Sequence, residues 1–317
     1  LHGFWCHFRA WGASLPADRR GRVGERLKGL ATYVLGQARI HGATRASPFR
    51  HAYAGLFHAL FFFGFLGLFC GTLVVMLHAD FGLPVMQGDF YLWFQSLALD
   101  VCGLFAILGL SMALARRAFF RPARLENAMQ DWLLAPTLLL ILCQGFCLEG
   151  VRLVVTNDPF ASWSPVGNAV GRALAAMLPA GTLRPLHAFT WWFHLITVLA
   201  LMAALPYTKL RHVFTAPLNI WFRPLEARGA VLAPIDLDTA QAFGAKSIDG
   251  LPLKALMDLD ACTECGRCQD ACPAYASGKP LSPKKLVFDL RDLLHARRDG
   301  APDDDKLLPD RIGEEAL

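Results

Sequence analysis

The stretch AYAGLFHALFFFGFLGLFCGTLVVML, residues 52–77, contains no lysine, arginine, aspartate or glutamate. A helix needs about 20 mainly apolar residues to cross the hydrocarbon layer of a membrane, and this run supplies them with a single imidazole, His58, inside. Three further runs of similar length follow, Tyr91 to Ala115, Trp132 to Val155 and Ala188 to Tyr207. The whole chain agrees with them: of its 317 residues 54% are hydrophobic and only 18% charged, a balance that fits a membrane protein and not a soluble one. The expected fold is therefore all-α, a transmembrane helix bundle. The formal net charge of +5 is modest, so where the basic residues lie matters more than how many there are, and no nucleic acid is expected as a partner.

The distribution of positive charge orients the bundle. Arg116, Arg117, Arg121 and Arg124 lie between the second and third runs, and Lys209, Arg211 and Arg223 follow the fourth. The connection from His78 to Phe90 has no lysine or arginine, and the one from Thr156 to Leu186 has only Arg172 and Arg184. Positive charge marks the cytoplasmic side. Four crossings bring the chain back to its starting side, so residues 1–50 and everything after Leu210 are expected in the cytoplasm, the whole sitting in the cell's inner membrane. Residues 1–50 are basic, with Leu27, Leu30, Val34 and Ala38 at helical spacing, and read as a cytoplasmic segment with a short helix on the membrane surface. Residues 51–213 form the membrane domain and 214–317 a cytoplasmic domain of short helices. Its tail, ARRDGAPDDDK, reads as a solvated loop. The chain opens on LHGFWCHF without a methionine, so it is expected to be a piece of a longer protein.

Four of the nine cysteines fall in CTECGRCQDACP: Cys262, Cys265, Cys268 and Cys272, the last followed by Pro273. This is the C-x2-C-x2-C-x3-C-P spacing of bacterial iron-sulfur proteins, in which the fourth cysteine ligates the other cluster of a two-cluster domain. Zinc sites more often use two separated pairs of ligands. The spacing therefore predicts a [4Fe-4S] cluster, and a second cluster whose remaining ligands lie beyond Leu317. The other cysteines, Cys6, Cys70, Cys102, Cys143 and Cys147, sit mostly in apolar runs as small core side chains.

Neutral imidazoles can hold a haem iron from both sides between helices. His58 lies about two turns into the first crossing and His212 at the cytoplasmic end of the fourth, so that the two can meet at similar depth. His187, His194 and His212 fall close to one face of a continuous helix, which makes His194 a candidate for a second haem further out and His187 a weaker one. His51 and His78 are further candidates, against core roles for all of them. No C-x-x-C-H is present for covalent haem. Asp100, near mid-membrane, and Glu149 and Arg152, near the outer end of the third crossing, are ionisable residues in lipid. They read either as a site for quinone and its protons or, for Glu149 and Arg152, as an ion pair three residues apart.

The segments FHALFFFGF and HLITVLALMAALPYTKLRHVFTAPLN resemble the cytochrome b membrane subunit of the respiratory nitrate reductase gamma family. The resemblance implies two haems b, with His58, His194 and His212 on family ligand positions; the remaining ligand position is occupied by Leu68. CTECGRCQDACPAYASGKPLSPKKLVFDLRDLL is similar to the α-helical ferredoxin domain of heterodisulfide reductase-related oxidoreductases. The two parts on one chain, with GFCLEGVR and IGEEAL, resemble the membrane-bound iron-sulfur oxidoreductases associated with electron-transfer flavoprotein. What this implies is an oxidoreductase that passes electrons from a soluble flavoprotein through clusters and haem b to membrane quinone. The alternatives are a quinol-dependent reductase of a heterodisulfide or other thiol substrate, and a relay subunit without a substrate site of its own.

Overall fold

The computed structural model describes residues 2–12, 21–41, 52–226, 238 and 248–299. Those residues form helices and turns and no β-strand. Among them, four helices are long and apolar enough to cross a membrane: Ala52–Ala79, Gly88–Phe120, Met129–Thr156 and Leu183–Tyr207. The chain is thus an all-α membrane protein, and the four runs extend by a few residues beyond the limits read from hydropathy. His51, the tail after Asp299 and the IGEEAL ending lie outside the described residues.

The chain divides into two compact units, Arg39–Pro122 with Asn127–Ala204, and Leu1–Ala38 with Ala123–Glu126 and Leu205–Leu317. In the first, which contains most of the spans, buried Leu138, Ile141, Leu142 and Val151 of the third span are joined by glycines at close helix contacts. The buried residues of Ala52–Ala79 are Gly55, Gly64 and Gly71. On the second span a Cβ at Gly109 would stand 2.5 Å from the Phe57 carbonyl oxygen and 2.6 Å from the Phe61 nitrogen. Lipid provides no hydrophobic drive between helices, so close backbone approach through small residues is what holds two such spans together. Gly150 of the third span does the same with a helix that follows it, Pro165–Met177: a Cβ there would meet the Gly167 oxygen and the Gly171 nitrogen, each at 2.6 Å.

The other unit has an ordinary core. Ala10 and Trp11 of helix His2–Trp11 are buried with Leu256, Met257 and Leu259 of Leu253–Asp260 and Leu294 of Pro283–Arg298. The basic segment forms a helix, Val23–Leu30, with Leu27 exposed and Arg26 buried. Arg26 Nη1 donates to the main-chain oxygens of Trp221 and Arg223, so it satisfies carbonyls left over at the end of helix His212–Trp221.

Two expectations change here. The helix of the fourth span ends at Ala204, and the chain passes through 3-10 turns at Leu205–Tyr207 and Lys209–Arg211 before His212 opens a new helix. Pro206 lacks the amide needed to continue the α-helix, so the helical-face argument joining His194 to His212 fails. Ala296, Arg297 and Arg298 are not loop but the last residues of Pro283–Arg298.

Candidate functional site: a cysteine loop tied to His212, and a polar cluster in the spans

The four cysteines lie on a short loop and the small helices after it. Cys262 and Cys265 precede helix Arg267–Asp270, which contains Cys268, and Cys272 caps Pro273–Ala276. The loop turns because Glu264 and Gly266 both take left-handed backbone conformations, with φ of 61° and 70°. At Gly266 a side chain is excluded, since a Cβ would lie 2.6 Å from the Arg124 main-chain oxygen. The Cys262 thiol is pushed up by burial, pulled down by an N–H bond from Glu264 and by the Arg291 charge, and raised by the neighbouring Cys265 and Cys268 thiols. Three neighbouring cysteines on one turn fit three corners of a cubane cluster, one thiolate to each.

Charged side chains hold this loop. Glu264 gives one carboxylate oxygen to Lys209 Nζ at 2.5 Å and the other to Arg291 Nη2 at 2.7 Å. Burial alone would raise the Glu264 carboxyl, but these two partners outweigh it and hold it below its ordinary value. On the other side Arg124 Nη1 bonds Asp270 at 2.9 Å, while Lys284 Nζ donates to the Arg124 main-chain oxygen at 3.0 Å and pairs with Glu126 at 2.7 Å.

Lys209 also faces His212. Its main-chain oxygen is 2.7 Å from His212 Nδ1. A carbonyl can only accept, so Nδ1 carries the hydrogen and Nε2 keeps the lone pair an iron ion needs. Burial pushes the His212 imidazole down, outweighing the pull of the Lys209 carbonyl, with the Arg211 charge adding to the depression; the ring is therefore neutral, the ligating form.

The spans hold the other imidazoles half-buried. His58 stacks on Phe62 at 6.2 Å, and His187 and His194 both lie on Leu183–Ala204. His194 Nδ1 is buried and has no hydrogen-bond partner among the described residues. An orphaned ring nitrogen in lipid is costly, and a bound group that uses it removes the cost. His78 instead spends Nδ1 on the Leu83 oxygen, at 3.0 Å, closing the turn after the first span.

Asp100, Glu149 and Arg152 come together, although hydropathy sets Asp100 at a different depth from the other two. Asp100 accepts the Val166 and Gly167 amides, both at 2.8 Å, at the start of Pro165–Met177. A carboxylate there satisfies amides that the helix itself cannot. Glu149 takes both Arg152 Nε and Nη2 at 3.0 Å, and the Ser164 hydroxyl at 3.4 Å. Arg152 Nη1 also bonds Asp158 at 2.9 Å. A Cβ on Gly167 would meet Glu149 Cγ at 3.0 Å and Asp100 Oδ1 at 3.4 Å. Sequence reasoning missed Gln144 of the third span, which is buried with neither side-chain polar atom bonded among the described residues. Its signal was an amide inside an apolar run.

A second missed group is a hub on Asp260. The carboxylate accepts from His7 Nδ1 at 2.9 Å, Trp11 Nε1 at 2.7 Å and His295 Nε2 at 2.7 Å, and Arg211 Nε lies 3.7 Å away. Burial would raise this carboxyl, but the bonds from His295 and His7 hold it well below the usual range. Burial also depresses His295, against the pull of Asp260, so a neutral ring donates to an ionised carboxylate. Two histidines and an aspartate are metal-ligand types, yet here the indole N–H fills one oxygen and the Arg211 and Arg298 guanidiniums flank the group. It is a hydrogen-bonded tie between three helices.

Comparison with known proteins gives the family. The family model described as nitrate reductase gamma subunit matches residues 49–227, more than half of the chain. The chain belongs to the nitrate reductase gamma subunit family. A model described as 4Fe-4S binding domain matches residues 253–274, the stretch holding all four cysteines. This gamma-family chain is similar to "EtfAB:quinone oxidoreductase" of Syntrophomonas wolfei, at 31% identity over 94% of the chain and 42% of the relative. It is also similar to "Probable iron-sulfur-binding oxidoreductase FadF" of Bacillus subtilis, at 28% over 86% of the chain and 38% of that protein. A third relative is a subunit of the dihydromethanophenazine:CoB--CoM heterodisulfide reductase of Methanosarcina barkeri, at 26% over 67% of the chain and 72% of the relative. The chain thus spans about two fifths of the length of the first two. No solved structure matches it.

Proposed function

We propose that this chain is the membrane-bound part of an oxidoreductase that carries electrons from electron-transfer flavoprotein to membrane quinone through [4Fe-4S] clusters and haem b. The observation that carries the reading is the double role of Lys209, whose ammonium holds the cysteine loop through Glu264 while its carbonyl sets the His212 tautomer. One residue thereby links the ligands of two kinds of iron. Cys262, Cys265 and Cys268 would hold one cluster, and Cys272 would serve a second. His58, His194 and His212 would hold haem b, with His187 the weaker candidate. Haem b held by these imidazoles would supply one-electron transfer.

The arginine distribution favours the cytoplasmic side of the inner membrane for the cysteine loop, within reach of a soluble donor. Reduction of a quinone takes two electrons and two protons. We assign the quinone end to Glu149 and Arg152, with Ser164, and give Asp100 the task of fixing the helix that closes over them. The name of the Syntrophomonas relative favours flavoprotein and quinone as partners; that of the Methanosarcina relative favours the reverse flow, from quinol to a disulfide. Steady-state assay of the purified full-length protein decides. Quinone reduction by reduced flavoprotein supports the proposal, whereas disulfide-dependent quinol oxidation without it supports the reverse.

A further inference from the structure

Two buried polar side chains in the spans have unused hydrogen-bonding atoms. Gln144 of the third span is 5% exposed, and neither its amide oxygen nor its amide nitrogen has a partner among the described residues. His194 Nδ1 on the fourth span is in the same condition. Both residues belong to the same compact unit, and their places on the helices turn them toward each other. The fourth span packs along the third. Its buried residues, Leu183 and Thr190, share a stripe with His194, within about 40° of it round the helix. On the third span, Phe146 meets Gly103 of the second span and Gly150 meets helix Pro165–Met177. Gln144 lies about 160° from Phe146 and about 120° from Gly150, which leaves the fourth span as the element that covers it. Gln144 stands twelve residues inside the end of its helix at Thr156, and His194 eleven inside the start of its own at Leu183. At about 1.5 Å per residue the two lie at one depth.

We propose that Gln144 is a positioning residue for His194, its Oε1 accepting the Nδ1 hydrogen when Nε2 ligates haem iron. Iron takes the lone pair of one ring nitrogen, and the neutral ring then carries its hydrogen on the other. Nδ1 is enclosed by protein, so it is the nitrogen left for a side-chain partner. An N–H inside the bilayer needs an acceptor, and a ligating histidine ordinarily donates its second N–H to one. The donor wanted on one span and the acceptor wanted on the next match in chemistry, in face and in depth. Such a bond fixes the ring orientation and makes the imidazole a more basic ligand. A more basic ligand favours oxidised iron, so the bond lowers the reduction potential. The inference rests on His194 being a haem ligand.

The test is an optical redox titration of the full-length holoprotein with EPR of the oxidised haem, haem content being measured on each preparation. His194→Ala identifies the haem concerned, as the one that is lost. Gln144→Leu keeps the bulk and removes the acceptor, and is expected to raise the midpoint potential of that haem and shift its EPR g values, with the cluster signal unchanged. Gln144→Glu keeps an acceptor oxygen, so its midpoint is expected at or below the native one. Thr190, four residues before His194 on the same stripe, is the competing acceptor, and Thr190→Val is expected to titrate as native protein. Native midpoint and g values in Gln144→Leu overturn the proposal, and so does a shift that appears in Thr190→Val instead. Should Gln144→Leu fail to fold, Gln144→Glu decides: a midpoint at or below the native value supports the bond, and one above it refutes it. His194→Ala with its full haem complement would instead sink the ligand assignment, and the proposal with it.

Discussion

Replacing Asp260 by alanine removes the one acceptor shared by His7, Trp11 and His295. Asp260 is 1% exposed, so no water takes its place. A net hydrogen bond to a charged group is worth about 1.5–3 kcal/mol, but the three are not additive. Truncating one partner of a buried charged group typically costs about 3–5 kcal/mol, because the remaining polar groups stay buried and unpaired. At about 2–4 °C per kcal/mol for a unit of this size, the iron-sulfur unit should melt roughly 6–20 °C lower. Asp260→Asn is expected to lose most of the same stability, since its amide group turns one acceptor into a donor among donors. Differential scanning calorimetry of the detergent-solubilised protein, with Trp fluorescence following Trp11, checks this. If Asp260→Ala melts with the native protein, the hub is not what ties His2–Trp11 to the unit.

The same hub predicts a pH dependence. His295 faces Asp260, His7, Arg211 and Arg298, and burial puts its folded value below the ordinary histidine value of about 6.5. The unfolded chain therefore binds more protons below that value, so stability should fall as pH drops from about 6.5 toward the folded value, and His295→Gln should remove this part of the slope. Gly109→Val forces two backbones apart, since an added Cβ would lie 2.5 Å from the Phe57 oxygen, and should cost about 1–3 kcal/mol in thermal stability without altering the EPR of the cluster. Arg152→Met breaks the bonds to Glu149 and Asp158 and should slow quinone reduction about tenfold or more, with haem and cluster spectra unchanged. Unchanged turnover would move the quinone site elsewhere.

The four spans were legible because hydropathy is local: each apolar run carries its own evidence, as at Ala52–Ala79. The cysteine spacing was legible for the same reason. The break between Ala204 and His212 was less so, because Pro206 falls at the end of the apolar run, where hydropathy marks the limit of a span but not the course of the backbone beyond it. Asp260 could not be read at all, since its partners lie 253, 249 and 35 residues away. Asp100 and Glu149 likewise meet only because helix Pro165–Met177 packs between the groups, through contacts at Gly150, Gly167 and Gly171 that leave no mark in hydropathy. Glu264 stands between two cysteines in the sequence, but its conformation, and the lysine and arginine that hold it, belong to the tertiary structure.

Whether one protein holds thiolate-bound iron beside imidazole-bound iron is best measured by a combined optical and EPR redox titration of the full-length protein, native and with His212→Ala. The account predicts a reduced b-type absorbance and a reduced-cluster EPR signal in the native protein, with His212→Ala losing haem absorbance while the cluster signal persists. A native protein without b-type absorbance, or a His212→Ala variant with its haem complement intact, would contradict it.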